Sequence, residues 1–227
     1  SVTDQITATK FLTGRALAAG EFSFELVEGE GEDAKVVATG TNNAEGNITM
    51  NAVKYTEAGK HTYTLREAKG GTASKGVSYD AKTYTVVTTV TDRGDGTLPV
   101  KHELKDAGTA EFKNAYNLTP TDSSVTDRIK ATKFLTGRDL KEGEFSFELV
   151  EGDKVVATGK NAADGTVVMD KITYDKPGKH TYTLREVRGN VGVITYDAAT
   201  YTIETVVKDN GDGTLGVEHK LKGADEA

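Results

Sequence analysis

The 227 residues contain no cysteine, which excludes both a disulfide framework and a thiolate zinc site. An extracellular protein of this kind must draw its stability from another source. Proline is nearly absent too, at 3 residues against 25 glycines, and 36% hydrophobic with 28% charged residues describes a globular chain, not a disordered one. No apolar run approaches the length of a membrane span, so no membrane insertion is expected. Clusters of Lys and Arg interleaved with aromatics are missing, and the net charge is −7. Both speak against nucleic acid or an anionic membrane surface as a partner. Nucleophile elbows, metal motifs and phosphate loops are absent, so a turnover enzyme is not expected, nor a cofactor. Ser1 opens the chain with neither a signal peptide nor an initiator Met, as expected of a segment of something longer.

One stretch occurs twice. Ile6-Thr7-Ala8-Thr9-Lys10-Phe11-Leu12-Thr13-Gly14-Arg15 returns as Ile129-Lys130-Ala131-Thr132-Lys133-Phe134-Leu135-Thr136-Gly137-Arg138, each followed by Gly-Glu-Phe-Ser-Phe-Glu-Leu-Val. The repeat sets two domains of a little over 100 residues, 1–117 and 124–227, each large enough for its own core. Residues 118–123, polar and containing Pro120, are the expected linker. A linker this short would stack two sandwiches into a rod.

Within each repeat, apolar residues alternate. Phe22, Phe24 and Leu26 share a face, as do His61, Tyr63, Leu65 and Glu67, while Gly, Asn and Asp fill the gaps at 29–31, 42–46, 70–71 and 92–96. No helical period of any length is present. The pattern predicts an all-β fold of two tandem antiparallel sandwiches with seven or more short strands each. The repeat offset falls from 123 at Lys10/Lys133 to 119 at Glu67/Glu186 and 117 at Asp95/Asp212. These deletions fall in predicted turns, where a sandwich tolerates them.

Three residues break the apolar faces. Lys10 lies between Ala8 and Leu12, Glu67 follows Tyr63 and Leu65 in register, and Asn114 sits between Phe112 and Tyr116. A buried ammonium needs a partner, a lowered pKa or a chemical fate. Two outcomes fit: an inert buried ion pair beside a hydrogen-bonded Asn, or attack of a neutral Lys10 amine on the Asn114 amide with Glu67 as acid, expelling ammonia.

Thr-Lys-Phe-Leu-Thr-Gly-Arg, Tyr-Thr-Leu-Arg-Glu, Ser-Tyr-Asp-Ala-Lys-Thr-Tyr-Thr-Val and Phe-Lys-Asn-Ala-Tyr, in this order, resemble the FctA-type pilin isopeptide-linkage domain of Gram-positive surface proteins, within the CnaB-like sandwiches. The resemblance covers nearly all of both repeats. It implies Lys10 and Asn114 as a bonded pair, Glu67 as the catalytic acid, and Lys133 with Glu186 as the equivalent start in the second repeat. It also implies an extracellular, wall-attached stalk or spacer whose chemistry is one self-directed turnover and whose partners are neighbouring repeats.

The second repeat departs from the pattern. An offset of 117 puts the counterpart of Asn114 beyond Ala227, so this repeat is expected to lack its last strand and to leave Lys133 unpaired. Truncation explains that, as does a half-domain that accepts a donor strand from another chain. A competing function is an adhesion module gripping a host protein or glycan with its loops. Against it stand near-identical repeats with trimmed loops. The calcium-like runs Asp92-Arg93-Gly94-Asp95-Gly96 and Asp209-Asn210-Gly211-Asp212-Gly213 lack the regular ligand spacing and read as hairpin turns. The histidine pairs His61/His180 and His102/His219 read as strand-edge residues, not metal ligands.

Overall fold

Alternating residues become strands in the computed structural model, which describes residues 6–105, 107–223 and 227. The first unit contains β1 (Ala8–Thr13), β2 (Ser23–Glu28), β3 (Lys35–Asn42), β4 (Ile48–Met50), β5 (Gly59–Glu67), β6 (Ala73–Ser74), β7 (Val77–Ser78), β8 (Thr83–Val90), β9 (Val100–Leu104) and β10 (Ala110–Tyr116). A six-stranded antiparallel sheet runs in the order β4-β3-β2-β5-β8-β9, and a four-stranded sheet in the order β1-β10-β7-β6. The two meet face to face: Phe112 of the small sheet packs against Phe24 and Tyr84 of the large one, ring centroids 5.1 and 5.3 Å apart. Val86, Phe24 and Phe112 are fully buried there.

First and last strands lie side by side. β1 pairs with β10 in parallel, Lys10 opposite Phe112 and Leu12 opposite Asn114. Because side chains alternate across a strand, Lys10 and Asn114 become diagonal neighbours on the inward face, while Phe11 turns outward.

The chain divides after Asn117. In the second unit, Thr121–Ser123, expected in the linker, instead forms β11, paired antiparallel with β15 (Ile172–Tyr174). The large sheet repeats the order of the first with β12 (Ser146–Glu151), β13 (Lys154–Asn161), β14 (Val167–Met169), β16 (Gly178–Glu186), β17 (Thr200–Asp209) and β18 (Leu215–Leu221), arranged β14-β13-β12-β16-β17-β18. The stretch matching β1 is not a strand; it keeps a single bridge, Thr132 to Thr166. β1 owes its ladder to β10, and among the described residues of the second unit Ala227 alone stands in that place. Its N–H donates to the Lys130 carbonyl at 3.0 Å, and the Thr132 N–H donates to the Ala227 carbonyl at 2.9 Å. Two short 3-10 turns, Gly31–Asp33 and Val125–Asp127, are the helical segments among the described residues.

His61 and His180 lie on the interior strands β5 and β16, and His102 and His219 on the outer strands β9 and β18. His219 is buried, its Nδ1 2.7 Å from Thr205 Oγ1 and its Nε2 2.8 Å from Ser123 Oγ, so that it ties β11 to the large sheet. Burial lowers its pKa, against the opposing pull of Asp127. The neutral ring is therefore the form the fold favours, and its contribution is complete above the ordinary histidine value of about 6.5 and lost as pH falls below it. Protection factors of the β17 and β18 amides, taken relative to intrinsic exchange at each pH, should fall on acidification from pH 7.5 to 5.5, and His219→Gln should flatten that dependence. An unchanged pH profile in the variant would remove His219 from the account.

Candidate functional site

The tight turn before β4 fixes the lysine. Lys10 N–H donates to the Gly46 carbonyl at 2.6 Å, and Gly46 holds a φ of +93°. Any Cβ at Gly46 would overlap the Lys10 carbonyl oxygen, so glycine is required on both counts. Behind it, the buried Asn42 accepts from Phe22 N–H at 2.9 Å and donates to the Ala18 carbonyl at 2.8 Å. That anchors Phe22, whose ring centre lies 4.6 Å from Lys10 Nζ. Phe22 helps to wall the amine off from water.

Glu67, at the end of β5 opposite Phe24, brings a carboxyl group to the lysine. Its Oε2 accepts from Lys10 Nζ at 3.1 Å and its Oε1 accepts from Asn114 Nδ2 at 2.8 Å. The side chains of Lys10 and Glu67 have no exposed surface, and Asn114 is 2% exposed. The three residues singled out from the pattern are thus brought into one dry cluster. Burial pushes the Lys10 pKa below its ordinary value, although Glu67 and, more weakly, Asp80 pull it up. The carboxyl therefore sits where it can take a proton from the amine on one side and offer one to the amide nitrogen on the other.

The carboxyl meets the amide nitrogen of Asn114 and not its carbonyl oxygen. Asn114 Oδ1 accepts instead from the backbone N–H of Asp80 at 2.8 Å. A backbone N–H can only donate, so the atom facing it must be the oxygen, and the amide nitrogen is left facing Glu67. Asp80 carries no side-chain signature in the alternation, because it meets Asn114 through its backbone N–H. A faint signal was available in Tyr79-Asp80-Ala81, which recurs as Tyr196-Asp197-Ala198.

In the second unit Lys133 Nζ reaches Glu186 Oε2 at 3.0 Å, with Asp197 N–H donating to the same oxygen at 2.7 Å. Glu186 Oε1 is 2.9 Å from Nζ yet has no hydrogen-bond partner among the described residues. A groove of about 310 Å³ lies alongside, walled by Lys133, Phe134, Leu184, Glu186 and Ala227 among others. Phe134 is 81% exposed, against 44% for its counterpart Phe11.

The calcium-like runs are turns. Asp92 and Asp95 accept from the N–H groups of Gly94 and Thr97 at 2.8 and 2.9 Å, and Asp209 and Asp212 do the same for Gly211 and Thr214 at 2.7 and 3.0 Å. Among the described residues no cluster of three or more His, Asp or Glu is placed to hold a metal.

Fold and site together define a tandem β-sandwich protein with a buried Lys–Glu–Asn cluster joining the first and last strands of a unit. The chain belongs to the FctA family of Spy0128-like isopeptide-containing domains, whose model matches residues 6–117 and again 129–227. No curated protein matches it. Among solved structures it is similar to the major pilin protein T-13 from Streptococcus pyogenes, with 19% identity, 97% of this chain and 92% of that one covered, and a TM-score of 0.37. It is also similar to the C-terminal fragment of the pilus adhesin SpaC from Lactobacillus rhamnosus GG, with 14% identity, 99% and 88% covered, and a TM-score of 0.31.

Proposed function

We propose that the chain is a pair of stalk or spacer modules from a pilus-like protein on the outside of a Gram-positive cell, attached to the wall, and that its first unit ties itself shut with a Lys10–Asn114 isopeptide bond. The observation that carries this is the Glu67 carboxyl, buried between the Lys10 amine and the Asn114 amide nitrogen. A proton passes from Lys10 Nζ to Glu67, the freed lone pair attacks Asn114 Cγ, and Glu67 returns the proton to Nδ2 as the C–N bond breaks. Ammonia leaves, and the second proton shed by Nζ stays on Glu67. The step is a single turnover, with the protein as its own substrate.

Intact mass under denaturing conditions tests this. The wild-type chain should be one ammonia lighter than its sequence, and Lys10→Ala and Glu67→Ala should each restore the full mass. A wild-type chain of full mass would leave Lys10, Glu67 and Asn114 as an inert polar network. A deficit of two would mean that Lys133 had found another amide.

For the second unit a specific feature favours a strand-accepting role. Ala227 holds the first position of the slot that β10 fills in the first unit, and the rest of that slot is a groove beside Lys133 and Glu186. A strand carrying Asn at the right register, whether from the same polypeptide or another, would complete the sheet and meet the lysine.

A further inference from the structure

We propose that the backbone N–H of Asp80 is the oxyanion donor of the cross-linking step, and that the Asp80 carboxylate is the group that positions it. The proposal rests on the Lys10–Asn114 bond and adds a part that Glu67 does not supply. Attack on Asn114 Cγ moves negative charge onto Oδ1, and a reaction in a dry site needs a donor already aimed at that oxygen. Glu67 is engaged with the two nitrogens, so it faces the atoms that exchange protons and not the atom that gains charge. Asp80 N–H, 2.8 Å from Oδ1, faces that atom.

The segment around Asp80 is held at several points. One carboxylate oxygen accepts from Lys82 N–H at 3.0 Å, turning the chain locally, and the other accepts from Lys113 N–H at 2.8 Å. Lys113 is the residue before Asn114. The side chain thus clasps the strand that carries the amide, while its own N–H addresses the amide oxygen. Tyr79 is tied on both sides, its N–H to the Thr72 carbonyl at 2.9 Å and its carbonyl to Gly71 N–H at 3.1 Å. The turn after Glu67 closes against the same segment: a Cβ at Gly70 would come within 2.8 Å of the Asp80 carbonyl oxygen.

The second unit offers an independent comparison within the same chain. Asp197 matches Asp80, and among the described residues its N–H meets no Asn amide; it still points into the site and donates to Glu186 Oε2 at 2.7 Å. Its carboxylate makes the same local turn, accepting from Ala199 N–H at 2.9 Å. The donor is therefore a property of the Tyr-Asp-Ala turn, present whether or not an amide arrives. An inward N–H that takes an acidic oxygen when the amide is absent is suited to the oxygen of a tetrahedral intermediate.

Cell-free synthesis of the full chain in a short pulse, with samples quenched in denaturing acid at intervals and read by intact mass, gives the rate of ammonia loss. Asp80→Pro removes the N–H and should slow the reaction by about 10²-fold. Asp80→Ala keeps the N–H but releases the clasp, and should fall between wild type and Asp80→Pro. Folding of each variant is checked by circular dichroism. A folded Asp80→Pro that cross-links at the wild-type rate, or Asp80→Ala as slow as Asp80→Pro, would overturn the role of the N–H. A wild-type chain with no ammonia deficit would bring down the bond itself, and the donor with it. Should Asp80→Pro fail to fold, a through-hydrogen-bond NMR correlation in the wild-type chain decides: coupling from the Asp80 amide nitrogen to the side-chain carbonyl carbon of Asn114 supports the assignment, and its absence overturns it.

Discussion

Pulled from its two ends, the wild-type chain is expected to lengthen by the unfolding of the second unit alone. The parallel pairing of β1 with β10 is the reason. Lys10 is near the start of β1 and Asn114 near the end of β10, so an isopeptide bond between them would pass force from the entering strand straight to the departing one. Everything between the two residues would hang outside the path of force. The protected loop spans 104 positions (114 − 10), which at about 3.3–3.6 Å per residue amounts to roughly 350 Å of length withheld. Asn114→Ala keeps the Lys10–Glu67 ion pair but cannot cross-link, and should release that length as an added unfolding step in single-molecule stretching. Two unfolding steps in the wild-type chain would contradict the covalent tie. The thermodynamic effect is smaller in kind: by analogy with a disulfide closing a loop of this size, the bond would stabilise the first unit by about 4–5 kcal/mol.

The parts of this site that were legible in the sequence are those with a side-chain signature. Lys10, Glu67 and Asn114 stood out because each is polar at an inward position of a two-residue period, where apolar neighbours make the exception visible. Asp80 did not, because it meets Asn114 through a main-chain N–H, and every residue but proline has one. Asn42 escaped for a related reason: it sits among turn residues, where asparagine needs no explanation, although it is buried and holds Phe22 against the lysine. Strand identity was legible where the ladder partner lies within the same repeat. The stretch at 129–135 has nearly the same pattern as β1 but is not a strand, since periodicity describes a face and only a partner supplies the hydrogen bonds. At 121–123 the opposite occurred. A polar segment that reads as linker is drawn into pairing by Ile172–Tyr174, and by His219 reaching Ser123.

The second large effect concerns the stretch at 129–135. Extending the chain after Ala227 by Glu-Phe-Lys-Asn-Ala-Tyr, the sequence that follows Ala110, should place an Asn beside Lys133 and Glu186 and raise the mass deficit from one ammonia to two. The register supports this, because Ala227 already makes the backbone hydrogen bonds that Ala110 makes at the start of β10: its N–H goes to Lys130, as the Ala110 N–H goes to Thr7. The next residues would run along 131–136, Phe entering the core and Lys crossing over Phe134, as Lys113 lies 5.8 Å from the Phe11 ring. Asn would then meet a carboxyl whose Oε1 lacks a hydrogen-bond partner among the described residues. Glu186→Ala in the extended chain should return the deficit to one. Offered as a separate peptide, the same strand should form an adduct at Lys133 lighter by one ammonia than the sum of its parts, and the peptide with Asn replaced by Ala should form none. If the extended chain loses only one ammonia while its second unit gains amide protection along 131–136, the strand docks without reacting, and the two units differ in chemistry despite their shared lysine and glutamate. If neither mass nor protection changes, the groove is not a strand acceptor, and the second unit's Lys133–Glu186 pair is a structural ion pair only.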